Sequence, residues 1–199
     1  MADDKYPWDL HPALTAERLV TVSRLLWAAR RDALGNAAWA LGDDAWSIGC
    51  RAYAFAKNRI TRLAERGAHN WLRVLDHSNN FIFLIEGVPV RFYRGPADEP
   101  TDRTLRQQEA EAQQLSLAFH GDEAAEGLLF RLAVETDERG QASRVVFLAL
   151  RGEGGRVECA WSVPLQVERA SPAVTPTVQL TLLQSEPPPA KPRRGRRAA

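Results

Sequence analysis

The sequence predicts an α+β protein: an N-terminal antiparallel helix pair packed on a mostly antiparallel sheet, then a disordered basic C-terminal tail. Three observations carry that prediction. Apolar residues recur at helical spacing from residue 15 to about 66, and the period becomes extended from Trp71 onward. The stretch FIFLIEGVPVRFYRG at 81–95 has the pattern of a β-hairpin. The strand-like runs after residue 127 are separated by short turns rich in Gly and acidic residues. These features divide the chain into a helical segment at 1–68, a sheet with one crossing helix at 69–185, and a Pro/Arg-rich tail at 186–199.

Residues 1–14 are expected to be irregular, because Pro7 and Pro12 break any helix. Thr15 supplies an N-cap for the first long helix, with Leu14 and Leu19 as a hydrophobic staple. Leu19, Val22, Leu26, Ala29 and Ala33 share one face, widened by Val20, Trp27 and Leu34, so this helix should be packed on two sides. Gly35-Asn36 ends it. NAAWALG at 36–42 fits either a helical turn or a loop. Asp43 or Asp44 begins the second helix, which runs to about Arg66, with Gly67 at its left-handed cap. Gly49, Ala52, Tyr53, Ala56, Ile60 and Leu63 form its inner face, the small residues permitting close approach to the first helix.

The first strand spans Trp71 to Asp76, and 77–80 form a turn. Phe81 to Ile85 are apolar at every position, which suits a strand buried on both faces. Glu86-Gly87 is a two-residue type I′ connection, with Gly where φ > 0 is needed. Val88, Val90 and Phe92 then lie opposite Pro89, Arg91 and Tyr93, and Pro89 marks an edge strand or a bulge. A third helix starts at Asp102 or Thr104, carrying Leu105, Ala112, Leu115 and Phe119 inward and RQQEAEAQQ toward water. After an acidic loop at 121–127 comes a meander. Leu128, Phe130, Leu132 and Val134 alternate with Arg131 and Glu135, and a turn at 137–140 leads to a return strand from Arg144 to Leu150. Beyond a turn at Gly152–Gly155, a strand points Val157, Cys159, Trp161 and Val163 inward. A last edge strand runs through Val178, Leu180 and Leu182. The order of elements is similar to that of PAS- or profilin-type sensor folds, an analogy that does not fix function.

Three runs, DAWSIGCRAYAFA at 44–56, GVPVRFYRG at 87–95 and RLAVETDERG at 131–140, together resemble an uncharacterised family of bacterial proteins of about this length. The resemblance covers roughly residues 10–165. It implies a bacterial origin and carries no activity.

Apolar residues at 45% and charged residues at 26% fit a soluble globular protein with room for one core. The net charge of +1 conceals a block asymmetry. Five of the 26 basic and one of the 25 acidic residues lie in 186–199, making that tail +4 and leaving residues 1–185 at −3. Cys50 and Cys159 are far apart and outside any C-x-x-C, which predicts two free, buried thiols in a reducing compartment. MADDKYPWDL has no apolar core of a signal peptide, and no apolar run approaches a membrane span. A cytoplasmic location without membrane contact is expected.

The strongest charged pattern is a basic stripe on the second helix. Arg51, Arg59, Arg62 and Arg66 fall near one face with Phe55 among them and Lys57 to the side, a spacing that suits a phosphate backbone or simply a solvated face. Lys191, Arg193, Arg194, Arg196 and Arg197 suit either a salt-sensitive contact for nucleic acid or an acidic protein, or a merely solubilising extension. Arg91 and Tyr93 project from one strand face, either as a surface clamp for an anion or a partner or, as the favoured structural reading, with Arg91 paired to a strand carboxylate and Tyr93 packed under the third helix. Glu135, Asp137 and Glu138, with Glu86 and Asp76 at other strand ends, are the carboxylates that a metal-dependent nuclease would use. Glu138 and Asp137 sit in a turn, where local hydrogen bonding explains them equally well. The four histidines, His11, His69, His77 and His120, have no metal-ligand spacing. No catalytic residue, metal or cofactor is assigned. The expected function is a non-enzymatic interaction or regulatory module binding a protein or nucleic-acid partner. The alternatives are a small-ligand sensor with a pocket between sheet and helices, and, third, a metal-dependent nuclease.

Overall fold

The computed structural model describes residues 5–152 and 154–165, which form an α+β fold around a six-stranded, mostly antiparallel sheet. The strand expected through Val178, Leu180 and Leu182 and the basic tail lie outside these residues.

A single helical turn precedes two long helices. α1 is a single turn, Pro7–Leu10. It corrects the expectation of an irregular lead-in: Pro7 stands at the first helical position, where its missing N–H is no loss and its fixed φ is already helical. α2 (Ala16–Gly35) is capped by Thr15, whose hydroxyl accepts from the Arg18 N–H at 3.4 Å. Leu14 and Leu19 are both fully buried beside that cap. After a 3₁₀ turn at Trp39–Leu41, α3 (Ala45–Glu65) starts at the Asp44 cap. Arg51 reaches the Asn36 carbonyl and Arg59 pairs with Asp32, so contacts run in opposite order along the two helices and the pair is antiparallel.

The strands lie in sequential order: β1 (Leu72–Asp76), β2 (Ile82–Ile85), β3 (Val88–Arg94), β4 (Leu128–Thr136), β5 (Ala142–Arg151) and β6 (Arg156–Ser162). The β2–β3 turn has Glu86 at φ 49° and Gly87 at φ 93°, both positive as a type I′ turn demands. Glu86, without glycine's freedom, is held there from both ends. Its N–H donates to the Trp71 carbonyl at 2.6 Å and its carboxylate pairs with Arg18.

β3 is not an edge strand. It pairs with β2 through Val88–Val90 and then, in parallel, with β4 through Arg91–Arg94. Pro89 costs the hairpin no hydrogen bond. Ile85 and Val88 flank a two-residue turn and form the bonded pair, so Pro89 opposite Leu84 is a non-bonded position. On its other side, β4 pairs only from Arg91 onward.

Below that junction the two strands diverge, and the third expected helix enters the gap as two pieces, α4 (Asp102–Leu105) and α5 (Glu109–Ala118). Gln107 donates to the Leu128 carbonyl at 3.4 Å and Gln114 to the Gly87 carbonyl at 2.9 Å, tying the crossover to the starts of β4 and β3. The facing of α5 differs from the expectation. Ala112 is exposed, while Glu111, assigned to water in the sequence, is 1% exposed. The Glu111 carboxylate is paired with Arg131, itself 1% exposed, and lies 3.8 Å from Arg91. The Arg131 Nε also donates to the Thr104 carbonyl at 2.9 Å.

The main core fills the sheet face beneath α2 and α3. Phe83, Val88, Val90, Phe130, Leu132 and Phe147 are buried there against Leu19, Val22 and Ile60 of the helices. The opposite face has its own smaller core, where Ala97 and Leu105 cover Leu129, Ala133, Val146 and Leu148. At the far end, a bulge between Ala149 and Leu150 pairs Leu150 with Val157 and turns Val157 outward, against the expected inward alternation. Cys159 remains buried, its thiol donating to the Lys5 carbonyl at 2.9 Å and pushed up to about 11 by burial. Cys50, in contrast, is exposed, which corrects the expectation of two buried thiols.

Glu111→Gln removes the charge that balances Arg131 in the interior. It is expected to destabilise the fold by about 3–5 kcal/mol, measured as a lowered urea midpoint at unchanged m-value.

Candidate interaction surface on the helix pair

The basic stripe read from α3 divides once its partners are visible. Arg51 is occupied: its Nη2 donates to both Asp43 carboxylate oxygens at 2.9 Å, and its Nη1 donates to the Asn36 carbonyl. It closes the α2–α3 connection. Arg59 pairs with Asp32 across the two helices, and that hydrogen bond is the largest influence holding the Asp32 carboxyl below its usual range. Arg62 and Arg66 are exposed and form no ion pair among the described residues. Leu25, Phe55 and Leu63 form the apolar part, and Arg59, Arg62 and Arg66 the basic part, of an open groove of about 450 Å³ between the helices. Phe55 is half-buried against the main core. The structure therefore brings four of the five stripe residues together and sets Arg51 apart.

Arg91 and Tyr93 are held by the fold. The Arg91 Nη1 donates to the Arg106 carbonyl at 3.0 Å, and its guanidinium lies beneath the crossover beside Glu111. The Tyr93 hydroxyl donates to the Pro96 carbonyl at 2.9 Å, and burial, then the charge of Glu135, pushes it up to about 12. These contacts match the structural reading of the two residues rather than the surface clamp: both side chains secure the loop and helix above the outer sheet face. Lys191, Arg193, Arg194, Arg196 and Arg197 lie outside the described residues.

The carboxylates considered for a metal do not converge. Glu135 pairs with Arg144 and accepts the Ala97 N–H, Asp137 accepts the Gln141 N–H, Asp76 accepts from Ser78, and Glu86 pairs with Arg18. Among the described residues, no three His, Cys, Asp or Glu side chains gather as metal ligands.

A different feature stands out at the tip of the helix pair. Trp39, Leu41 and Trp46 are 61%, 89% and 75% exposed. Comparison with known proteins finds no matching family model, curated relative or solved structure. The tip must therefore be read from its own chemistry. Its backbone is pinned from within. The Asp43 carboxylate accepts from the Ala38 N–H at 2.8 Å, from the Ser47 hydroxyl at 2.8 Å and from Arg51. Asp44 caps α3 by accepting from the Ser47 N–H at 2.7 Å, while its own N–H donates to the Ser47 hydroxyl at 2.9 Å. Gly42, at φ 98°, closes the 3₁₀ turn. The indoles are thus displayed on a rigid support rather than on a slack loop. The sequence signal was Trp39 in the ambiguous NAAWALG string and Trp46 seven positions later, in the first turn of α3.

Those bonds hold the Asp43 carboxyl at about 2, down from an ordinary 3.8, with the Ala38 N–H the largest cause, then Ser47 and Arg51. A lowered carboxyl pKa stabilises the folded tip above the ordinary value and loses that contribution as pH falls through the folded one. The Ala38 amide proton resonance, followed by NMR, should therefore titrate with a midpoint near 2 rather than 3.8. Tip order should be lost across that window while β5 stays protected.

Proposed function

We propose that this chain is a non-enzymatic interaction module that docks on a protein partner through the tip of its helix pair. The observation that carries the reading is the exposed cluster of Trp39, Leu41 and Trp46 on a pinned turn. Burying a large apolar side chain is worth about 1.5–3 kcal/mol, and tryptophan is favoured at the energetic centre of protein interfaces. A support already ordered by Asp43 and Asp44 reduces the entropy lost on docking. The local charge favours protein over nucleic acid. Asp43 and Asp44 are the acids of the tip, and Arg51, the nearest base of the stripe, is neutralised by Asp43. With Arg94 also reaching the Ala45 carbonyl, the two acids and two bases of the tip balance, so a phosphate backbone would find no net positive charge there.

The test is a photo-crosslinking side chain placed at position 41 in the producing cells, followed by purification of the crosslinked species and reconstitution of the pair. Trp39→Ala combined with Trp46→Ala should weaken the reconstituted complex at least tenfold. Thermal unfolding of the free chain should change little, since both rings are exposed and such substitutions fall within about ±0.5 kcal/mol. The reading fails if position 41 captures no protein. It also fails if the double variant binds the captured protein as the parent does. Oligonucleotide binding that falls steeply with salt and ignores both substitutions would move the function to the Arg62–Arg66 groove and the tail.

A further inference from the structure

A second, smaller cavity of about 50 Å³ lies between the helix pair and the sheet. Leu26 and Arg30 of α2, Ala52 and Ala56 of α3, and Phe92 and Arg94 of β3 are among the residues that form its wall. The charged groups of that wall are both cationic. Arg30 is only 4% exposed. Its Nε donates to the Gly140 carbonyl at 2.6 Å, yet its buried Nη1 has no partner among the described residues. Arg94 enters from the solvent side, and its guanidinium lies 3.7 Å from where a β-carbon on Gly49 would stand. The small residue at position 49 thus admits an arginine from the sheet, not the first helix as its spacing predicted. The Arg94 Nη1 makes a long hydrogen bond, 3.4 Å, to the Ala45 carbonyl. Neither arginine forms an ion pair among the described residues.

That arrangement is at odds with the rest of the molecule. The other buried guanidinium, Arg131, faces a carboxylate. A buried cation without a counter-charge is costly, and a second cation at the same cavity raises the cost. Burial and the Arg94 charge both act to depress the Arg30 pKa. The missing element is an anion. Two positive charges are balanced by a dianion and only half balanced by a monocarboxylate. Guanidinium forks match the oxygens of phosphate in geometry as well as charge. At roughly 10–15 Å³ for each water-sized position, the cavity holds about three to five such positions. That suits the oxygens of one phosphoryl group and little more.

We propose that this cavity binds a phosphate dianion, free or as the phosphoryl group of a small monoester, with Arg30 at the floor and Arg94 at the mouth. The organic part of an ester would extend outward past Arg94. This site is separate from the docking tip and stands or falls without it.

The test is thermal unfolding of the full chain at pH 8 and constant ionic strength, with chloride replaced by phosphate, by acetate, or by glycerol phosphate. Phosphate stabilises many proteins by exclusion, so the informative quantity is the difference between parent and variants. The parent Tm should rise saturably with phosphate and not with acetate. Arg94→Gln, at the exposed end, should raise the apparent Kd at least tenfold. Arg30→Met should abolish saturable binding and, in phosphate-free buffer, unfold at a higher temperature than the parent, because the uncompensated charge is gone. Tighter binding of glycerol phosphate than of phosphate would identify an ester as the ligand, and the reverse order the free ion. Equal shifts with phosphate and acetate would overturn the proposal. So would parent-like phosphate binding by Arg94→Gln. Arg30→Met with a lowered Tm and undiminished phosphate binding would leave Arg30 as no more than a brace for the Gly140 turn.

Discussion

Where the two halves of the sheet meet, two arginines stand opposite each other. Arg91 and Arg131 are register partners at the first rung of the parallel β3–β4 pairing, on the face that the crossover covers. Like charges directly opposite on neighbouring strands repel, and covering them removes the water that would screen them. Glu111 resolves the conflict by sitting between the two guanidinium groups, paired with Arg131 and close to Arg91. The sheet can therefore join only where α5 delivers that carboxylate. This places the helix in the gap below the junction and brings Gln107 and Gln114 to the freed carbonyls of Leu128 and Gly87. A nonpolar trio would hold the same space without desolvating charge. What the ionic one adds is register: a slip of either strand by one residue would move an arginine to the opposite face, into the main core.

What could be read in the sequence follows from how local each interaction is. The Thr15 and Asp44 caps depend on residues within five positions of one another, and the turn residues Glu86-Gly87 and Gly140 are marked by local composition; each is found where the pattern puts it. The inner faces of α2 and β4 were legible for the same reason, since periodicity alone determines which residues align. Glu111 was not legible. In RQQEAEAQQ it looks like any carboxylate on a wet helix, and only the partner twenty residues later makes it a core residue. Pro89 misled because a missing N–H suggests an edge, whereas an interior strand tolerates it at a non-bonded position whose other neighbour has diverged. Val157 misled because a bulge changes parity without leaving a mark in composition.

The candidate sites divide along the same line. Counting arginines on α3 located a basic surface but could not distinguish Arg51 and Arg59, which are neutralised by acids off that helix at Asp43 and Asp32, from Arg62 and Arg66. Guanidinium groups in this fold are mostly tied to carboxylates or carbonyls: Arg18 to Glu86, Arg144 to Glu135, Arg151 to Glu158 and to the Glu126 carbonyl. Against that background the informative arginines are those left unpaired. Arg30 could not be recognised from sequence at all. At position 30 it interrupts no pattern, falling one residue after Ala29 on the buried face of α2, and its significance lies in the partner it lacks.

The tip and the small cavity are also mechanically adjacent. Arg94 donates to the carbonyl of Ala45, the first residue of α3, and Trp46 follows directly. Ala45 itself comes right after Asp44, whose cap orders the start of that helix. The guanidinium at the cavity mouth and the first turn that presents an indole to solvent are therefore joined by one long, weak hydrogen bond. An anion that draws Arg94 inward must compete with the Ala45 carbonyl, and this first-turn carbonyl already accepts within the helix, so it loses little when released. Geometry of this kind couples the two surfaces loosely. The pinned turn is kept in place by Asp43 and Asp44 whether or not Arg94 stays, and the cavity can change its contents without dismantling the surface that the tryptophans occupy.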